Sequence, residues 1–133
     1  MNMVSIRLIT DDAKRLVEFY AAVTGLAPTW YTPDFAELKT RSATLAIAHA
    51  RTMALFGAGA ARAADNHTAI IEYRVDDVDA AWQRLADVLD DVVQKPTTQP
   101  WGNRSLLFRD PDGNLVNFFT PVSAEALKKF EGV

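Results

Sequence analysis

The chain has no cysteine and only two histidines, His49 and His67, and each shortage removes a class of chemistry. Without cysteine there is no disulfide framework, no thiolate zinc site and no thiol nucleophile. Nor is there an apolar run near the ~20 residues that a membrane-spanning helix needs. The opening residues Met1-Asn2-Met3-Val4-Ser5-Ile6 have neither the basic nor the apolar region of a secretory signal, so a cytoplasmic protein is expected. A net charge of −3 leaves no basic stripe for nucleic acid. Gly57-Ala58-Gly59 does not join a strand to a helix as a phosphate-cradling loop does. Ser5, Ser42, Ser105 and Ser123 have no evident histidine–aspartate relay. What remains is 133 residues, 49% of them hydrophobic and 23% charged, enough for one real core.

The chain repeats itself. Ile6-Arg7-Leu8-Ile9-Thr10-Asp11-Asp12 overlays Ile71-Glu72-Tyr73-Arg74-Val75-Asp76-Asp77 at an offset of 65 residues. In each copy a strand runs into an Asp-Asp pair suited to cap a helix and complement its positive end. The helices that follow share one apolar stripe: Ala13, Leu16, Val17, Tyr20 and Val23, then Val78, Ala81, Trp82, Leu85 and Val88. Strands return after each helix, over 29–32, 35–39 and 43–48 and again over 91–94, 104–108 and 115–119. The chain therefore reads as two βαβββ modules of α+β class: 1–56, a small-residue linker 57–66, and 67–121. The Ala-rich part of the linker is either a mobile joint or a short helix. Over 122–133, Ser123 caps a terminal helix reaching Phe130.

Asp110-Pro111-Asp112-Gly113-Asn114 is a turn signal between two apolar strand segments, since Pro presets φ and Gly and Asn tolerate φ > 0. This hairpin, the double repeat, Glu18-Phe19-Tyr20 in the first helix and Pro100-Trp101-Gly102 together resemble the vicinal oxygen chelate superfamily of glyoxalases, bleomycin-resistance proteins and extradiol dioxygenases. The resemblance covers nearly the whole chain. It implies two curved mixed sheets around a cleft, helices outside, and a homodimer. It fixes where a site lies, not what the site does.

The family's metalloenzymes take ligands from the first and last strand of each module. By the same resemblance those places fall here on Ser5, on Ala46 or Ala48, on Ile70, and on Asn117, where the metalloenzymes carry a glutamate. Ile and Ala offer no lone pair to a divalent transition metal, and Ser hydroxyl and Asn amide are weak neutral donors. His67, three residues before Ile70, falls on the opposite face of a regular strand. His49 ends another strand. Both read as surface imidazoles, the alternative being a rearranged two-histidine site. The expectation is no metal and no cofactor.

Alternation then names the candidate ligand-binding residues. Ser5 and Arg7 share a face with Ile9, opposite Ile6 and Leu8; Ile70 and Glu72 share one with Arg74; Asn117 and Phe119 share one with Leu115. Arg7 and Glu72 occupy equivalent positions and either pair as ions across the repeat or serve a ligand, Arg7 then gripping an anion. Asn117 either orients a ligand polar group or bonds to its neighbours. By the resemblance, Trp30, Tyr31 and Phe35 lie where the family's clefts receive ligands; with Trp101 in a later loop they supply flat apolar area for a planar ligand, or pack hairpins and a dimer. Arg104 is an anion contact or a surface residue. Trp82, on the helix stripe, belongs to the core.

The favoured function is metal-independent binding, in the manner of bleomycin-resistance proteins, of a small, partly aromatic molecule held in the cleft. The alternative is a metal-independent lyase or isomerase acting on a carbonyl-bearing metabolite, with Glu72 or Glu37 as base and Arg7 or Asn117 steadying an oxyanion. A third reading is a dimeric interaction domain with no small-molecule site. No nucleic-acid or membrane partner is expected.

Overall fold

Two aspartates start two helices. In the computed structural model, which describes residues 1–133, Asp12 accepts the Arg15 N–H and Asp77 the Ala80 N–H, each at 3.1 Å. Each carboxylate satisfies a first-turn donor that the helix itself leaves unpaired. The chain divides into two compact units, Met1–Asn66 and His67–Val133.

The first unit runs β1 (Ser5–Thr10), α1 (Ala13–Thr24), β2 (Thr29–Thr32), β3 (Phe35–Lys39) and β4 (Thr44–His49), then a 3-10 helix over Ala50–Leu55. Its sheet has the order β1-β4-β3-β2, with β1 parallel to β4 and the remaining pairs antiparallel. The whole expected stripe of α1 is buried. It lies on the side of the sheet that carries Ala36, Leu38, Leu45 and Ile47, all buried too. Full burial of a Leu, Val or Ile stabilises by about 1.5–3 kcal/mol, so this layer holds the unit together. Gly25 ends α1 at φ +73°, its N–H bonding the Ala21 carbonyl at 3.0 Å, a conformation that favours glycine. The linker 57–66 forms turns and bends, and the helical turn lies just before it, in Ala50–Leu55.

The second unit repeats the plan: β5 (Ile70–Arg74), α2 (Val78–Leu85), β6 (Val92–Thr98), β7 (Asn103–Arg109), β8 (Leu115–Pro121) and α3 (Ala124–Lys129). Its sheet order is β5-β8-β7-β6, with β5 parallel to β8. Here the expected stripe is only partly realised. α2 stops at Leu85, Val88 is 49% exposed beyond it, and Leu89 is the buried residue instead. Asp87, Asp90 and Asp91 crowd the negative end of the helix, where acidic side chains oppose its dipole. Trp82 is half-buried, with the Lys95 ammonium 5.9 Å from its ring centre. On this side of the sheet Leu106, Phe108, Val116 and Phe118 are buried, Phe118 meeting Phe108 edge-on at 5.0 Å and Tyr73 at 5.5 Å. Burial pushes the Tyr73 phenol up to about 12, because the site disfavours phenolate.

The β7–β8 turn is tied by one carboxylate. Asp110 Oδ1 accepts the N–H groups of Asp112 and Asn114, each at 2.9 Å, and Oδ2 accepts the Asn114 side-chain amide at 2.8 Å. Gly113 takes φ +84° there. Past β8, Ser123 caps α3 by accepting the Ala126 N–H at 3.0 Å. The Gly102 carbonyl receives the Val122 and Ser123 N–H groups at 2.8 and 3.1 Å, which seats α3 against the β6–β7 turn.

Candidate functional site

Each sheet has a helix on one side, so recognition residues are sought on the other. In the first unit, register sets Arg7, Ala46 and Glu37 in one row across β1, β4 and β3, and Ile9, Ala48 and Phe35 in the next. The Arg7 guanidinium lies 4.9 Å from the centre of the Phe35 ring and 5.4 Å from that of Phe56. It is exposed and makes no ion pair and no hydrogen bond. Tyr31 extends the patch, its ring 5.7 Å from Phe35. Lys39 Nζ donates to the Tyr31 hydroxyl at 3.2 Å, which raises the lysine's pKa. Ser5 lies exposed at the start of β1.

Trp30 pairs with Ala36, a residue buried on the α1 side, so it shares that face and not the face of Phe35. The shift of register between Trp30 and Thr32 hides this from simple alternation along the chain. Of the three aromatic residues the sequence groups in this hairpin, Tyr31 is the one whose ring lies beside that of Phe35.

In the second unit, β8 sets Asn117 between Glu72 on β5 and Leu107 on β7, with Phe119 between Arg74 and Ser105. Asn117 Nδ2 donates to Glu72 Oε2 at 2.7 Å. Since a carboxylate only accepts, this bond fixes which way the amide points. Asn117 Oδ1 and Ser105 Oγ are buried without a partner, as is Asn103 Oδ1 further along β7. Ile70 is half exposed at the strand's start. Within its own unit Arg7 contacts two rings, and within the other Glu72 accepts from Asn117.

Three other expectations need correction or narrowing. Arg104 is not an open anion contact: it is bidentate on Asp79 of α2, at 2.9 and 3.0 Å, an exposed pair that holds the guanidinium on the helix side and raises its pKa. It shares that face because it pairs with Thr120, whose hydroxyl binds Val75 and Val78 at the start of α2. Trp101 stands in the β6–β7 turn, 67% exposed, at the edge of the sheet and away from its centre. Phe119 is covered by its own chain, the Phe130 ring lying 5.0 Å away, while Arg74 donates to the Val133 backbone oxygen.

The residues at the family's ligand positions do not fit a metal ion. Ala46 and Ile70 have no donor atom, and Asn117 has its nitrogen turned to Glu72, leaving one neutral carbonyl. No three His, Asp or Glu side chains converge into a coordinating group. His49 Nδ1 instead accepts the Arg51 backbone N–H and Nε, each at 3.0 Å, capping the 3-10 helix.

Comparison with known proteins agrees with this architecture. The family model described as Glyoxalase/Bleomycin resistance protein/Dioxygenase superfamily matches residues 2–118. The uncharacterised protein YraH of Bacillus subtilis (strain 168) is 26% identical over 125 residues, covering 90% of this chain and 98% of that one. Among solved structures, a glyoxalase/bleomycin resistance protein/dioxygenase family enzyme from Burkholderia phytofirmans PsJN superposes with a TM-score of 0.80 at 15% identity, covering 92% of this chain and 100% of the other. A lactoylglutathione lyase from Agrobacterium tumefaciens gives a TM-score of 0.69 at 22% identity, with 89% and 92% coverage. At such identities the structures share a fold, and the chemistry must be argued from the side chains.

Proposed function

The chain belongs to the Glyoxalase/Bleomycin resistance protein/Dioxygenase superfamily, and on that premise we propose that it is a metal-independent binding protein for a small, partly aromatic molecule with an anionic group. Arg7 carries this reading. Its guanidinium is within cation–π distance of two phenyl rings, each contact worth about 0.5–1 kcal/mol at an exposed site and together favouring this orientation. Its N–H fork is left open toward solvent, the geometry that takes a carboxylate or phosphate through two parallel hydrogen bonds. Phe35 and Tyr31 beside it offer ring area on which an aryl group can stack. Open cationic donors also argue against a cationic group at this place.

A calorimetric screen of aryl carboxylates, run with a chelator present, tests the proposal. Arg7→Ala weakens the best binder by roughly ten- to a hundredfold, the loss expected for a charge-assisted hydrogen bond. Arg7→Lys, which keeps charge but not the fork, recovers only part of it. Unchanged affinity in Arg7→Ala would remove the basis of the reading. The lyase or isomerase alternative draws on Glu72, whose carboxylate is held in place by Asn117. Turnover abolished by Glu72→Gln with ligand affinity retained would establish that alternative in its place.

A further inference from the structure

We propose that the second unit carries, on the side of its sheet away from α2, a subsite for a nitrogen-bound hydrogen-bond donor of a ligand: an amidinium or a primary ammonium. Asn117 Oδ1 and Ser105 Oγ receive the N–H groups, and the Glu72 carboxylate supplies the opposing charge. The subsite does not rest on the Arg7 reading, which concerns the other unit and a group of opposite charge.

Two buried oxygens on this face have unmet hydrogen bonds. Asn117 is 8% exposed and Ser105 2%, yet Asn117 Oδ1 and Ser105 Oγ have no partner. Buried polar atoms are satisfied in nearly all proteins, by the chain, by water or by a ligand, so two such acceptors on one face are free to receive donors from outside the chain. Their places are set by the sheet: Ser105 pairs with Phe119, and Asn117 with both Leu107 and Glu72, so the two side chains leave the same face of neighbouring strands. The sign of the partner follows from Glu72. By accepting Nδ2 at 2.7 Å it turns the amide so that the oxygen is the open end. The face therefore offers a carbonyl oxygen and a carboxylate together, with a hydroxyl that can accept. The nearby cation, Arg74, already donates to Val133. An incoming carboxylate would meet lone pairs and a negative charge, whereas an N–H-rich cation meets acceptors.

Benzamidine and benzoate present the same ring with opposite demands and serve as probes on the ¹⁵N-labelled full chain. The Asn117 side-chain amide signal, identified by its loss in Asn117→Leu, shifts saturably with benzamidine and not with benzoate. Ser105→Ala and Glu72→Gln each weaken benzamidine at least tenfold while the spectrum stays as dispersed as that of the unmodified chain. Ser105→Ala removes a single oxygen, so it keeps the test open if Asn117→Leu does not fold. Benzoate shifting the Arg7 Nε signal while Asn117 stays still is the companion result, since the two sites are assigned ligands of opposite charge. A saturable shift of Asn117 with benzoate, no saturable shift with benzamidine, or unaltered titration of both Ser105→Ala and Glu72→Gln would overturn the proposal.

Discussion

Asp110→Ala lowers the stability of the chain by about 3–5 kcal/mol, the cost of leaving several buried donors without an acceptor. The carboxylate is buried and accepts the Asp112 N–H, the Asn114 N–H and the Asn114 side-chain amide. Methyl in its place satisfies none of them, and little water reaches the site to substitute. A loss of that size moves the thermal midpoint by roughly 10–15 °C in a domain of this size. Asp110→Asn separates the contributions: its oxygen still serves the two backbone donors, but its NH₂ faces the Asn114 amide, so it loses about half as much. Melts followed by circular dichroism read both variants, and a loss below about 1 kcal/mol for Asp110→Ala would mean that the turn does not depend on this carboxylate. The site depends on the turn as well, because this hairpin sets the register that puts Asn117 opposite Leu107. A slip of one residue would send Asn117 to the helix side.

Gly102→Ala has the second large effect. Gly102 sits at φ +92°, and a Cβ there would stand 2.0 Å from Ser123 Oγ and 2.7 Å from Ser123 Cβ. Backbone strain and overpacking add, to about 2–4 kcal/mol. Gly113→Ala is the matched control: its φ is +84° but nothing lies within 4 Å, so only the strain is felt and the loss is about 1–2 kcal/mol. Chemical denaturation ranks the two variants. Equal losses would show that α3 yields freely, which conflicts with its seating on the Gly102 carbonyl. Because α3 carries Phe130 onto Phe119, the Gly102 variant also bares the Phe119 end of the sheet face.

What was legible in the sequence was what repeats. The offset that aligns Asp12 with Asp77 announces two caps, two helices and two strand triplets, since capping and periodicity are local properties. The turn over Asp110–Asn114 was equally readable, its residue types being those the backbone needs. Alternation placed Arg7, Glu72 and Asn117 on faces free of helices, and the structure agrees. Elsewhere facing was not legible: a bulge turns Trp30 away from the face of Phe35, and the facing of Arg104, left open by the sequence, depends on a pairing with Thr120 that nothing near it in the chain encodes. The apolar stripe continues to Val88 in the sequence, whereas α2 ends at Leu85 and leaves Val88 exposed. Partners were least legible. That Arg7 lies near two rings, one of them Phe56 beyond the last strand of its unit, and that Glu72 orients Asn117, are facts of tertiary contact. The gap left at Asn117 Oδ1 exists only once the amide's nitrogen has been assigned a partner.

The central claim is that recognition here uses rings and hydrogen bonds in place of a coordinated cation. Elemental mass spectrometry of the purified chain, after equilibration with zinc, nickel, manganese and iron and removal of unbound ions, tests it most directly. Far less than one ion per chain is predicted for every metal, because the strand positions that would hold one present alanine, isoleucine, serine and a committed asparagine. One tightly held ion per chain, retained against dialysis and needed for ligand binding or turnover, would contradict the account.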